Sequence, residues 1–175
     1  MKRLASLIEN DDMRMAALEV VSQLDLEDCY IAAGFLRNLY WDFLHNKDTP
    51  LNDIDVIFFD VSDNDQTKEK AAETTLISQC PQHNWQVRNQ AFMHLKNGDK
   101  PYKNSCHAMS YWPEKETAIA ARLLNQHIEI ISPFELTSLY GGFITHNPKR
   151  DRAIFLNRIQ SKGWQLQWPK LRKRL

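Results

Sequence analysis

Apolar positions along this 175-residue chain change period several times, and the changes mark its elements. Residues 2–24 carry a helical period with a polar break at Asn10-Asp11-Asp12. That predicts two helices, the second capped by Asp11 or Asp12 and buried along Met15, Leu18, Val21 and Leu24. Tyr30 to Ala33 is a short apolar run ending at Gly34, which reads as a buried strand and a sharp turn at the glycine. From Phe35 to His45 the helical period returns. Phe35, Leu36, Leu39, Tyr40, Phe43 and Leu44 share one face, with Arg37, Asn38, Trp41 and Asp42 toward the other. Asn52 to Asp60 is rich in β-branched and aromatic residues and predicts a strand.

Beyond it, Val61 to Asp65 reads as a polar turn and Thr67 to Gln79 as a helix. Lys68, Glu69, Lys70 and Glu73 form its exposed charged face, Leu76 and Ile77 point inward, and Pro81 closes it. Trp85 to Met93 alternates and predicts a strand beside Asn52–Asp60. Asn97-Gly98-Asp99 is a turn, Glu116 to Leu124 reads as a short helix, and His127 to Ile131 as a strand. Ser132-Pro133-Phe134-Glu135 has the pattern of a capping box opening a helix over 133–140, which Gly141-Gly142 ends. Asn147-Pro148 opens a last helix running to Lys162, with Gly163 as its stop. Trp164 and Trp168 then pack the tail down, and basic Lys170 to Arg174 reads as a solvated, frayed end. This order predicts one α/β (or α+β) domain, a small mixed sheet flanked by helices. It divides into N-terminal helices (1–28), an α/β core (30–131) and C-terminal helices (132–175).

Composition narrows the class. Hydrophobic content of 43% and charged content of 25% are those of an ordinary globular domain. A net charge of zero supplies no basic footprint, which argues against nucleic acid as a partner without excluding it. No run of about 18 apolar residues exists, so no membrane partner is expected. The residues after Met1-Lys2-Arg3 are too polar for a signal peptide. Cys29, Cys80 and Cys106 lack paired spacing, which argues against a disulfide framework or a zinc site and points to a reducing cytoplasm.

Candidate chemistry sits between Gly34 and Asp55. Alternate strand residues share a face, so Asp53 and Asp55 point the same way, roughly 7 Å apart at the backbone from a rise of about 3.3 Å per residue. Such a pair can converge on Mg²⁺ or Mn²⁺, hard cations that bind through one or two carboxylates plus substrate phosphates. The turn at Gly34 opens a helix whose N-terminus attracts phosphate, and Arg37, one turn in, offers a charged fork to the same anion. Taken alone, alternating Asp at a strand start is more often a solvated edge.

The combination Gly34, Arg37-Asn38, Asp53-Ile54-Asp55 resembles the signature of the polymerase-β-like nucleotidyltransferase superfamily; CCA-adding enzymes carry a similar Gly-x-x-Arg-Asp followed by Asp-x-Asp. A closer resemblance is to a bacterial family of small nucleotidyltransferases. It runs through Ala32-Ala33-Gly34, Trp41-Asp42, Asp53-Ile54-Asp55-Val56, Trp85 to Ala91, Met93-His94, Trp112-Pro113-Glu114, Thr117-Ala118, Pro133 to Leu136 and Lys162-Gly163-Trp164 with Trp168-Pro169. It spans about Tyr30 to Leu171. The resemblance implies a minimal nucleotidyltransferase fold and Mg²⁺-dependent (or Mn²⁺-dependent) transfer of a nucleoside monophosphate from an NTP to an unidentified hydroxyl acceptor. Asp53 and Asp55 are then the catalytic metal ligands, Gly34 and Arg37 bind phosphates, and Asn38 orients the loop or the sugar. The superfamily's third carboxylate is missing from Trp85–Met93, where Asn89 is the nearest substitute. His107 stands where the smaller family is acidic. Arg122 is a further phosphate candidate and Glu129 a remote candidate for the third acid. These departures motivate an alternative, a catalytically inactive nucleotide- or metal-binding module. RNA-end modification is a third, weaker reading that the neutral charge opposes.

Overall fold

A computed structural model describes residues 1–175. Two helices lead: α1 (Lys2–Glu9) and α2 (Asp12–Ser22), the second capped by Asp11, whose side chain accepts from the Arg14 backbone N–H. The chain then makes strand β1 (Tyr30–Ala32), helix α3 (Gly34–His45), strand β2 (Asp53–Phe58), helix α4 (Thr67–Gln79) and strand β3 (Asn84–Asn89). A 3-10 turn leads into α5 (Met93–Asn97), followed by α6 (Ser105–Met109), β4 (Ala120–Leu124) and β5 (His127–Ile131). The rest is α7 (Thr137–Tyr140), β6 (Phe143–Thr145), α8 (Arg152–Lys162), α9 (Trp164–Gln167) and β7 (Arg172–Arg174).

Five strands form one mixed sheet in the order β3-β2-β1-β4-β5. β1 is antiparallel to both neighbours, β2 and β3 run parallel, and β4 and β5 are antiparallel. The register sets two faces. Ile54, Val56 and Phe58 join Ile31, Trp85, Val87 and Ala121 in a 29-residue core against the helices. The opposite face carries Asp53, Asp55 and Ile57, with Asp55 paired to Ala32 on one side and Gln86 on the other. A smaller core of Tyr30, Ala32, Ile57, Met109, Ala118 and Ala120 covers the middle of this face. No helix is long and apolar enough to cross a membrane, and the three cysteines are free.

Several expectations need correction. The stretch 116–124 is not a helix. Ala118, Ala120 and Ala121 have high helix propensity, yet they are fully buried and Ala120 and Ala121 pair with β1, so tertiary pairing overrides local preference. The strand predicted over 85–93 ends at Asn89, because the Asn89 side chain accepts from the Ala91 N–H and starts the 3-10 turn. The helix expected over 133–140 shortens to α7; Ser132 Oγ accepts from the Phe134 N–H, a tight turn rather than a capping box. The last helix starts at Arg152 rather than at Pro148, capped by Asp151. Glu69 and Glu73 are not a solvated stripe. They accept from the Asn89 and Val87 N–H groups and mask the open edge of β3. The tail is not frayed: β7 pairs in parallel with β6.

Candidate active site

The cleft begins at the end of β1. The conformational strain lies one residue earlier than the sequence implied. Ala33 sits at φ 58°, ψ −117°, a region glycine favours, while Gly34 has ordinary helical backbone as the first residue of α3. A Cβ at Gly34 would lie 3.4 Å from Asn38 Nδ2 and 3.6 Å from an Arg37 guanidinium nitrogen, ordinary contact distances, so neither backbone strain nor crowding demands glycine there. The turn is held by the Ala33 N–H donating to the Ile119 carbonyl at 2.9 Å, and its own carbonyl accepts from the Arg37 N–H at 3.0 Å.

One turn into α3, Arg37 is 7% exposed and borders the cleft. Its guanidinium donates to Thr117 Oγ1 at 2.7 Å and to Asn38 Oδ1 at 3.0 Å. It also stacks 4.9 Å from the Trp41 ring and 4.4 Å from Trp164. Asn38 therefore orients Arg37. Burial pulls the Arg37 guanidinium down to about 10, against the opposing pull of Glu114 and Asp55, and it stays cationic at neutral pH.

Asp53 is exposed and accepts from the Asn84 amide at 2.9 Å. Asp55 is half-buried and raised above the ordinary carboxylate range, first by burial and then by Asp53. Arg37, Lys162 and Arg158 act on it only through space, and no hydrogen bond holds its carboxylate. Both acids border a cleft of about 300 Å³ that also meets Gly34, Arg37, Asn38 and Thr117. The structure thus brings together five of the eight candidate residues: Gly34, Arg37, Asn38, Asp53 and Asp55.

It sets the other three apart. Asn89 points to the opposite face of β3, where its amide accepts from the Asp60 N–H at 3.1 Å and donates to the Asp60 carbonyl at 2.7 Å; it is a buried strand-end clamp. His107 lies on α6, its Nδ1 accepting from the Lys103 N–H at 3.1 Å and its ring edge-on to Tyr102 and Tyr111. Burial, then Lys149 and Lys103, lower its pKa. Arg122 pairs with Glu129 at 2.5 Å across β4 and β5 and stacks on Tyr30, so neither Arg122 nor Glu129 meets the cleft.

Sequence reasoning missed the opposite wall. α8 contributes Arg158 and Lys162, four residues apart on one helical face, and both border the cleft. Arg158 is held by Glu114, which has no exposed surface, at 2.7 and 3.3 Å. The only signal was the i, i+4 spacing of two cations, common on solvated helices. Trp168 closes the far end, its indole N–H donating at 2.8 Å to Asp42.

Together these features make a pair of acids facing a cation-rich cleft at a helix N-terminus, a place for an anion and a hard cation side by side. The sequence profile of a family described as Nucleotidyltransferase matches residues 19–173. The chain belongs to this nucleotidyltransferase family. No curated protein sequence matches it. Among solved structures, this nucleotidyltransferase is similar to a protein whose NMR structure reveals a CCA-adding enzyme head domain, with 29% identity over 99% of this chain and 95% of that one and a TM-score of 0.87. It also shares its fold with a chain from a tRNA-processing enzyme complex, at 15% identity and a TM-score of 0.52, covering 89% of this chain and 42% of the other.

Two carboxylates are the whole acidic donor set of the nucleotidyltransferase site; no cluster of three His, Cys, Asp or Glu side chains gathers anywhere in the fold. The fit to a divalent cation rests on the Asp55 carboxylate, raised by burial and its acidic neighbour and satisfied by no hydrogen bond. Mg²⁺ retains water and phosphate oxygens as ligands, so two carboxylates suffice.

Proposed function

We propose that this nucleotidyltransferase moves a nucleoside monophosphate from an NTP to a hydroxyl acceptor with the help of Mg²⁺ or Mn²⁺. The observation that carries the reading is the shared cleft, with Asp53 and Asp55 on one wall and Arg37, Arg158 and Lys162 around them. Asp53 and Asp55 would hold the cation, which when bound supplies charge neutralisation at the phosphates and activation of the attacking oxygen. Arg37, fixed by Thr117, Asn38 and two tryptophans, meets the polyphosphate with a preorganised fork. The N-terminal N–H groups of α3 face the same charge, since Ala33 and Gly34 border the cleft. Arg158 and Lys162 take up negative charge from the far side. Catalysis is then positioning and electrostatics, as phosphoryl transfer demands.

The test is a pyrophosphate-release screen with each NTP and Mg²⁺ or Mn²⁺. Release should occur with the wild-type chain and fall at least a hundredfold with Asp53→Asn combined with Asp55→Asn. Release that survives the double change would sink the mechanism. One observation favours a second reading, a binding module without turnover: on the face beside Asp55, β3 offers Gln86 and Arg88 where a third acid would stand. That reading predicts saturable NTP binding by calorimetry and no pyrophosphate from any nucleotide.

A further inference from the structure

Asp55 separates two cavities of unlike chemistry. The first is the cationic cleft already described. The second, about 440 Å³, lies along the same sheet face toward β3 and is walled by carbon at Ile57, Met93, Tyr111, Trp112 and Ile154. Polar atoms reach it as the amides of Gln86, Gln90 and Asn97, and its one carboxylate is Asp55. Two of its three arginines are engaged by acids outside the cavity, Arg88 by Glu73 at 2.9 Å and Arg150 by Asp99 at 2.5 Å, and the third, Arg158, is shared with the cationic cleft. The surfaces left for recognition are planar, apolar or neutral amide. They suit an uncharged unsaturated ring with hydrogen-bonding edges and offer a polycation no counter-charge beyond Asp55.

We infer that this second cavity is the acceptor subsite, and that the acceptor is a nucleoside-like molecule, a neutral heterocycle carrying a sugar hydroxyl. The inference rests on the transfer reading above. In-line displacement puts the entering oxygen and the leaving pyrophosphate on opposite sides of the α-phosphorus. With the polyphosphate among Arg37, Arg158 and Lys162, the entering side is the second cavity. The residues common to both cavities, Ala33, Asp55, Thr117 and Arg158, mark where the reacting phosphorus lies. The acceptor oxygen forms its bond to that phosphorus, the bond to pyrophosphate breaks, and the hydroxyl proton passes to water. Trp112 supplies a stacking face, and Gln86 and Gln90 read the ring edge. The same chemistry is presented by a free nucleoside and by the terminal residue of an oligonucleotide.

The experiment measures binding by saturation-transfer NMR and calorimetry without a donor. The probes are adenosine, uridine, single-stranded hexauridylate with a free 3′-hydroxyl, glucose and spermine. They are tested on the wild type, Gln86→Leu and Trp112→Ala. Gln86 is exposed on β3, so its replacement leaves the core intact; thermal melts check both variants. The expected result is saturable binding of a nucleoside or of the oligonucleotide end, weakened tenfold or more in each variant, with no response to glucose or spermine. Hexauridylate binding in place of the free nucleosides would assign the source as a nucleic-acid end. Binding of neither the nucleosides nor hexauridylate, binding equal in all three proteins, or binding weaker than that of spermine or glucose overturns the inference. Wild-type pyrophosphate release without nucleoside-type binding sinks this inference alone. Binding that follows the expected pattern with no release from any NTP sinks the transfer reading and leaves a nucleoside site.

Discussion

Replacing Arg158 by Met should destabilise the protein far more than replacing its partner Glu114 by Gln. Glu114 has no exposed surface, whereas the Arg158 side chain is 38% exposed. Removing the arginine strands a carboxylate in the interior, which costs about 3–5 kcal/mol in comparable buried pairs. The cleft lets some water reach the pair, so the lower end, about 3 kcal/mol, is expected. In a chain of this size that lowers Tm by roughly 6–12 °C. Removing the acid instead leaves an arginine that can hydrate through the cleft, at about 1 kcal/mol. Glu114→Gln combined with Arg158→Met replaces the pair by uncharged groups of similar shape and should return to within about 1 kcal/mol of wild type. Urea unfolding of all four proteins measures the cycle. An Arg158→Met loss no larger than that of Glu114→Gln would refute the claim that the pair is asymmetric in burial. The double variant, folded but without this cation, should also raise the KM for NTP about tenfold, equivalent to about 1.4 kcal/mol of phosphate contact.

Asp55→Asn should stabilise the metal-free fold at pH 7 while abolishing transfer. Burial, then Asp53, raise the folded-state pKa of Asp55, so the folded chain binds that proton more tightly than the unfolded one. Stability from this group is present below the unfolded value and is lost as pH rises through the folded one. The gain from Asn should therefore be full at pH 7 and vanish near pH 3; denaturation in EDTA showing a loss at pH 7 would contradict it. Ala33→Val should lower Tm by several degrees, because a β-branched side chain at φ 58° adds about 1–3 kcal/mol of strain, whereas Ala33→Gly should stay within about 1 kcal/mol of wild type. Thermal melts giving Val the stability of Ala would show the turn to be relaxed.

Much of the site was legible because its signals are local. Period-two alternation put Asp53 and Asp55 on one face, and the apolar run before Gly34 marked the bend that places Arg37. What stayed hidden depends on distant partners. Nothing local marks Glu114 as buried, because its partner Arg158 lies 44 residues away. Asn89 could be assigned to the β3 strand but not to a face that served the site, since its role is set by the Asp60 backbone. The alanine run over 118–121 has the composition of a helix, and only its place between β1 and β5 makes Ala120 and Ala121 strand. Arg122 and His107 were credible by type alone, and type does not encode direction.

The C-terminal strand has a practical consequence. Its partner β6 precedes α8, so the two strands bracket the helix that carries Arg158 and Lys162, and the Arg174 carbonyl accepts from the His146 N–H at 2.9 Å. The Trp168 indole fastens the same segment to Asp42. The last few residues thus act as a clasp on one wall of the cleft. Affinity handles belong at the other terminus, and a chain trimmed back before Trp168 should loosen the α8 wall together with the part of the core that Trp168 and Leu171 complete.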